Sequence, residues 1–295
     1  MEVTSSSVII NSVIWISSLR ESEQGVTRRI IEELDPFFHC KGVNFVLFEP
    51  QSADHLRVFL DQVEKEARED GLRPIIHIDT HGGKDTGIHI VPSGEDLSWE
   101  EATDRFKRIN VATKNNLCVV SLACYGFHIV SEMSISDRTP FYILAAPENT
   151  VSGGFVESTC PEFYRYVFTH LDIMGAYRRI FGDTLKIMHC EEVLLIVMAK
   201  YVRAGTIGKA KQERVEALIS TVVNDIGPVG SETLKAMRKV AKEGIKPTQE
   251  LLERYIGSFL MGRPVAYDIE KVKSIAATIP DPYADGKRKR PMPGL

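Results

Sequence analysis

The chain is 295 residues long, enough for one large domain or for a core domain with an appendage. Its 43 % hydrophobic, 8 % aromatic and 26 % charged residues exclude a disordered, collagen-like or low-complexity chain. Lys and Arg number 36 against 40 Asp and Glu, a net charge of -4, so there is no global basic footprint, which argues against a nucleic-acid partner.

Five cysteines (Cys40, Cys118, Cys124, Cys160 and Cys190) are few and odd in number, and do not read as a disulfide framework. The N-terminal apolar stretch has no basic segment ahead of it and is interrupted by Asn11, Ser12 and Ser17, so it does not read as a secretory signal. The later apolar run around Val193 to Ala199 is far short of the roughly 20 residues that span a bilayer. These features predict a cytoplasmic protein with no membrane partner.

Strand and helix patterns alternate through the first 170 residues. Val8 to Ile16 reads as a strand, and Glu21 to Leu34 as a helix carrying Val26, Ile30, Ile31 and Leu34 at helical spacing. Asn44 to Phe48 is a short strand. Ala53 to Glu69 is an amphipathic helix with Leu56, Phe59, Leu60 and Val63 on one face. Ile75 to Asp79 is a further strand, and the glycines from Gly82 to Gly94 make Gly87 to Val91 one arm of a hairpin.

Ser98 with Glu101 forms a capping-box pattern that starts the next helix. Strands follow at Cys118 to Leu122 and Phe141 to Ala145, with a helical segment at Phe127 to Met133 between them. Ser158 or Thr159 is expected to cap a helix reaching His170, with Pro161 in its first turn. This alternation predicts an α/β fold with a doubly wound, mainly parallel sheet and helices on both faces.

Beyond residue 172 the strand signal vanishes, and helices are expected near Met174 to Phe181, Glu191 to Arg203, Lys209 to Asn224, Ser231 to Glu243 and Thr248 to Leu260. The expected division is therefore a core over 1–171, a helical region over 172–279 and a disordered tail over 280–295. The basic run Lys287 to Arg290 in that tail reads as solubilising charge.

Parallel sheets put working groups at the carboxyl ends of strands. One such end carries His81-Gly82-Gly83 and another Ala123-Cys124-Tyr125-Gly126. A thiol nucleophile needs a base to accept its proton and N–H donors for the oxyanion of the tetrahedral intermediate. Cys124 and His81 supply the first pair, and the N–H groups of Gly82 or Gly83 and of Cys124 are the expected oxyanion donors. Cys160, at an expected helix start, is the rival thiol, since a helix N-terminus lowers a thiol pKa. His77, Asp79 and His81 alternate along one strand face, and with His89 they form a competing set of metal ligands.

Caspase cysteines lie in an Ala-Cys-x-Gly element with a His roughly 50 residues upstream. Here Cys124 follows His81 by 43 positions, and residues 8–171 resemble the caspase-like (clan CD) cysteine peptidases, a class that includes caspases, metacaspases, separases and bacterial CHAT domains. The resemblance implies a Cys–His dyad that cleaves peptide bonds without a cofactor, Cys124 being nucleophile and His81 general acid/base. Its bacterial branch implies a defence or regulated-proteolysis setting. Where caspases bind an aspartate through a Gln two before the Cys and a later Ser-Trp-Arg, this chain has Leu122 and Ser152-Gly153-Gly154. A metacaspase-type acid is also missing at Leu122.

The substrate is expected to lie extended along an edge strand near Pro147 to Gly154, touching Leu122, Ala123, Glu148, Asn149, Val151 and Ser152. Arg20 is placed to face an acidic substrate residue, and Asp79 or Glu148 a basic one. The partners implied are a protein or peptide substrate and a regulatory protein engaging the helical region. Two other readings stay open: a non-catalytic partner-binding module of the same fold, and a metal-dependent hydrolase using His77, Asp79 and His81.

Overall fold

The structure, a computed structural model, describes residues 8–280 apart from 183 and 207 and the side chains of 208–210. The expected disordered tail over 280–295 falls, but for its first residue, outside the described residues. In chain order the first elements are β1 (Ser12–Ser18), α1 (Gln24–Lys41), β2 (Asn44–Phe48), α2 (Ala53–Glu69), β3 (Pro74–Thr80) and the small strands β4 (Gly82–Gly83), β5 (Gly87–Ile90) and β6 (Glu95–Leu97). Then come α3 (Trp99–Ala112), β7 (Cys118–Ser121), a 3-10 helix (Gly126–Glu132), β8 (Ile143–Ala146) and α4 (Gly153–His170). They are followed by α5 (Ile173–Ala176), a π-helical turn (Tyr177–Phe181) and β9 (Lys186–His189).

The central sheet has six strands in the order β2-β1-β3-β7-β8-β9. All neighbours are parallel except β9, which runs antiparallel to β8. Every residue of β1 and of β3 is buried, as expected of inner strands covered on both faces. The cover follows from connection handedness. The chain steps one way from β1 to β2 and the other way from β2 to β3 and from β3 to β7, so right-handed crossovers put α1 on one face and α2 and α3 on the other.

The packing agrees with that assignment. Consecutive residues of β1 face opposite ways: Trp15 lies 6.0 Å, ring to ring, from Tyr164 of α4, while Ile14 lines a shallow cavity with Phe59 and Val63 of α2. Phe38 of α1 makes edge contacts with Tyr164 and Phe168 of α4. On the other face Arg57 of α2 pairs with Glu101 of α3 at 2.6 Å. The fold is thus α/β, with a mainly parallel six-stranded sheet between two helical layers.

Several boundaries move from their sequence expectations for identifiable reasons. Helix α1 continues past Leu34 through Pro36, because that proline lies on the exposed side, where the carbonyl it leaves unpaired meets water, and because Phe38 buries itself against α4. Helix α4 starts at Gly153, capped by Ser152 Oγ accepting from Phe155 N, rather than at Ser158 or Thr159. The hydroxyls of Ser158 and Thr159 instead donate to the Phe155 carbonyl. Cys160 therefore sits well inside a helix, not at its start.

Strand β9 was not legible in the sequence. Its four residues, KIMH, pair with Ile143–Ala146 and carry the first compact unit past residue 171 to Cys190, with the second unit starting at Glu191. That unit is helical: α6 (Cys190–Thr206), whose first residue still belongs to the first unit, then α7 (Gly208–Ile226), α8 (Ser231–Gly244), α9 (Gln249–Phe259) and α10 (Ile269–Thr278). Val215, Ile219 and Ile245 form a small core there with Leu234 and Met237. Among the described residues no helix is long and apolar enough to cross a membrane.

Candidate functional site

The strand order changes direction between β1 and β3, which makes their carboxyl ends the topological switch point of the sheet, where open α/β folds bind ligands. Glu23 follows β1, His81 follows β3 and Cys124 follows β7, the strand beside β3. Three chemically active side chains thus come from three adjacent strand ends.

The two glycine-flanked motifs touch through their main chains. A Cβ on Gly82 would collide with the Cys124 carbonyl oxygen and lie 3.3 Å from the Cys124 nitrogen and 3.1 Å from Ala123 Cβ. Only glycine permits that approach. At Gly126 a Cβ would lie 2.7 Å from Ser121 Oγ and 3.4 Å from Ala146 Cβ, so this glycine lets the 3-10 helix start tight against β7 and β8. At both positions it is main chain or a neighbouring side chain that comes close to the glycine.

Between Cys124 and Gly126, Tyr125 has φ +61°, a left-handed conformation rare for a bulky residue. The bend is held from outside, since Tyr125 N donates to the Asn149 carbonyl at 3.1 Å and Phe127 N to the Pro147 carbonyl at 3.0 Å. Strained backbone of this kind persists where surrounding structure over-determines it, and it turns Cys124 out of the strand direction. Among the described residues the Cys124 N–H meets no acceptor and the Cys124 thiol makes no hydrogen bond. In the hairpin, His89 N donates to the His81 carbonyl at 3.0 Å, and antiparallel alternation then directs the Gly82 N–H away from β5. The Gly83 carbonyl is taken by Trp99 Nε1 at 3.0 Å.

His81 Nε2 lies 2.8 Å from Glu23 Oε2, which also accepts from the Arg20 N–H at 3.1 Å. The ring N–H of His81 holds the Glu23 carboxyl below the usual carboxylate range, opposed by a smaller desolvation effect and aided by the Arg20 N–H. With Nε2 donating to a carboxylate, Nδ1 is left as the accepting nitrogen of the neutral ring. Glu23 belongs to none of the motifs that stand out in the sequence. The only signal that could have found it is an acid just beyond the first strand, 58 positions before His81.

The alternation His77, Asp79, His81 does point all three side chains to the α1/α4 side, but to three different partners. His77 stacks on Trp15 at 3.5 Å and meets Tyr164 Oη at 2.8 Å through Nδ1. Asp79 Oδ2 accepts from Thr27 Oγ1 of α1 at 2.5 Å. Burial drives the His77 pKa down to about 3 and pushes that of Asp79 up. His89 pairs with Asp96 at 2.8 Å on the hairpin. No group of three or more His, Cys, Asp and Glu among the described residues could hold a metal ion.

Other expected positions divide between rim and interior. Arg20 is exposed beside Glu23, and Glu148, Asn149, Val151 and Ser152 lie on the loop after β8, which the two hydrogen bonds above tie to the Cys124 turn. That loop is not an edge strand, because β9 covers the outer edge of β8. Glu148 stands 3.8 Å from Lys186, and Ser152 Oγ is committed to capping α4. Asp79, Leu122 and Ala123 are corrections: each is buried, so none offers its side chain to a substrate at the rim. Cys160 is also corrected, because full burial pushes its thiol pKa up, aided by the nearby Asp79.

No protein-family model matches the chain, and no curated protein matches it.

Proposed function

We propose that the chain is a cysteine endopeptidase of the caspase-like class, with Cys124 as nucleophile and His81 as general acid/base. The observation that carries this reading is the contact of Gly82 with the Cys124 main chain, which brings the two motifs together at the carboxyl ends of the neighbouring strands β3 and β7, beside the switch point. The turned-out backbone at Tyr125 and the uncommitted Cys124 N–H support it.

In the proposed cycle the Cys124 thiol proton passes to His81 Nδ1, and the sulfur attacks the scissile carbonyl carbon. The oxyanion is met by the Cys124 N–H and the Gly82 N–H, with Gly83 shaping the strip beside them. As the C–N bond breaks, the Nδ1 proton goes to the leaving amine and a thioester remains. His81 then takes a proton from water, whose oxygen attacks the thioester carbon; the C–S bond breaks, the acid product leaves, and the proton returns from His81 to the sulfur. No cofactor is needed for any step.

A protein or peptide substrate would run past the loop over 147–152, with Arg20 on one flank and the Glu148–Lys186 pair on the other. A regulatory protein engaging the second compact unit belongs to the same reading. A cytoplasmic setting in bacterial defence or regulated proteolysis belongs to the same reading.

The test is a peptide-library cleavage profile of the purified chain beside Cys124→Ala and His81→Ala. Cleavage by the wild type that both variants abolish is the expected result. A folded wild type that cleaves nothing, with its Cys124 no more reactive than an ordinary surface thiol, would favour the non-catalytic binding module.

A further inference from the structure

We infer that Glu23 is a positioning residue for His81, an inference that rests on the peptidase reading and adds a third member to the dyad. Glu23 occupies the N-cap of α1 yet makes no side-chain hydrogen bond to its own helix. An acidic N-cap residue ordinarily accepts from the amides of its first turn. Here the carboxylate instead gathers His81 Nε2 and the Arg20 N–H on one oxygen.

One helical turn later Thr27 repeats the contact, donating to Asp79 on the same strand. Glu23 and Thr27, at i and i+4 of the helix start, thereby meet His81 and Asp79, at i+2 and i of β3. Two rungs fix both the rotation of α1 about its axis and its position along β3. The buried rung secures the helix, and the outer rung, with both side chains 37 % exposed, sets the ring.

For catalysis the consequence is a defined tautomer. A ring that gives Nε2–H to Glu23 presents the Nδ1 lone pair to the thiol, and the carboxylate favours the imidazolium formed when that proton arrives. The other charged groups that act on the pair are Arg20, which favours the ionised Glu23, and Asp79, whose charge interacts with His81 from within the fold.

The test uses the full chain with Glu23→Gln and Glu23→Ala. On a cleaved peptide, kcat should fall by ~10- to 100-fold with KM little changed, and Glu23→Gln, whose amide oxygen still accepts from Nε2, should fall less than Glu23→Ala. Independently, nitrogen NMR of His81 in the Cys124→Ala chain should show the Nε2–H tautomer, and adding Glu23→Ala should mix the tautomers. Unchanged nitrogen shifts, or changed shifts with undiminished kcat, would overturn the inference. If the wild type cleaves nothing, the peptidase reading falls, and the shifts still decide whether Glu23 holds the ring.

Discussion

Gly82 and Cys124 lie in main-chain contact although 42 positions separate them, and no side chain larger than hydrogen fits between. This contact sets the distance between the two motifs. Gly82→Ala should therefore displace the Cys124 turn, costing ~1–3 kcal/mol of stability as overpacking does. Peptide cleavage should drop by about 100-fold, the usual consequence of misplacing a reacting group by ~1 Å. Gly257→Ala is the matched control: nothing lies within 4 Å of its Cβ position in α9, so thermal unfolding should show a gain of ~0.5–1 kcal/mol and cleavage should not change.

Thiol exposure gives a second expectation. Brief treatment of the folded chain with iodoacetamide should modify Cys40, which is exposed, and Cys124, which is half-buried, and should spare the fully buried Cys160. If His81 draws the proton from Cys124, Cys124 should react faster than Cys40 at neutral pH, and His81→Ala should remove the difference. Peptide mass spectrometry reads the sites directly.

Stability should fall with acid on account of His77. Held neutral by burial with a pKa of about 3, it takes up a proton in the unfolded chain near its ordinary value of 6.5. Between those values the unfolded state binds more protons, so stability decreases by ~1.4 kcal/mol for each pH unit of acidification. The raised pKa of Asp79 acts with the opposite sign above its ordinary value of 3.8, since there the folded state keeps the extra proton. Denaturant titrations of the wild type and His77→Gln share the Asp79 contribution, so between pH 6.5 and 3 the wild type should lose stability relative to the variant by ~1.4 kcal/mol for each pH unit of acidification. Parallel slopes would count against a neutral buried His77.

The position of β9 predicts where the chain can be cut. Ending it after residue 171 removes the partner of Ile143–Ala146 and bares the β8 edge, whereas ending it after Cys190 keeps the six-stranded sheet. Light scattering and circular dichroism should find the shorter fragment aggregating and the longer one folded and monodisperse.

Local patterns carried much of this fold. Asn44–Phe48 and Ala53–Glu69 end in the structure where the alternation of apolar and polar residues says they should, and the Ser98 cap accepts from Glu101 N as the motif requires. Such features depend on residues within a turn or two of one another. The His-Gly-Gly and Cys-x-Gly elements are each legible at a strand end for the same reason, whereas the adjacency of those two ends comes from the pairing of β3 with β7.

What the linear order of residues could not contain is which groups meet across it. Four residues of KIMH become a strand because β8 offers them an open edge, and Glu23 reaches His81 because α1 is docked on β3 by Thr27 and Asp79. The three alternating residues His77, Asp79 and His81 share a face, as strand geometry demands. Only the tertiary structure decides that α4 buries the first, α1 the second, and the end of the sheet leaves the third at the surface, because burial is set by what packs above a residue.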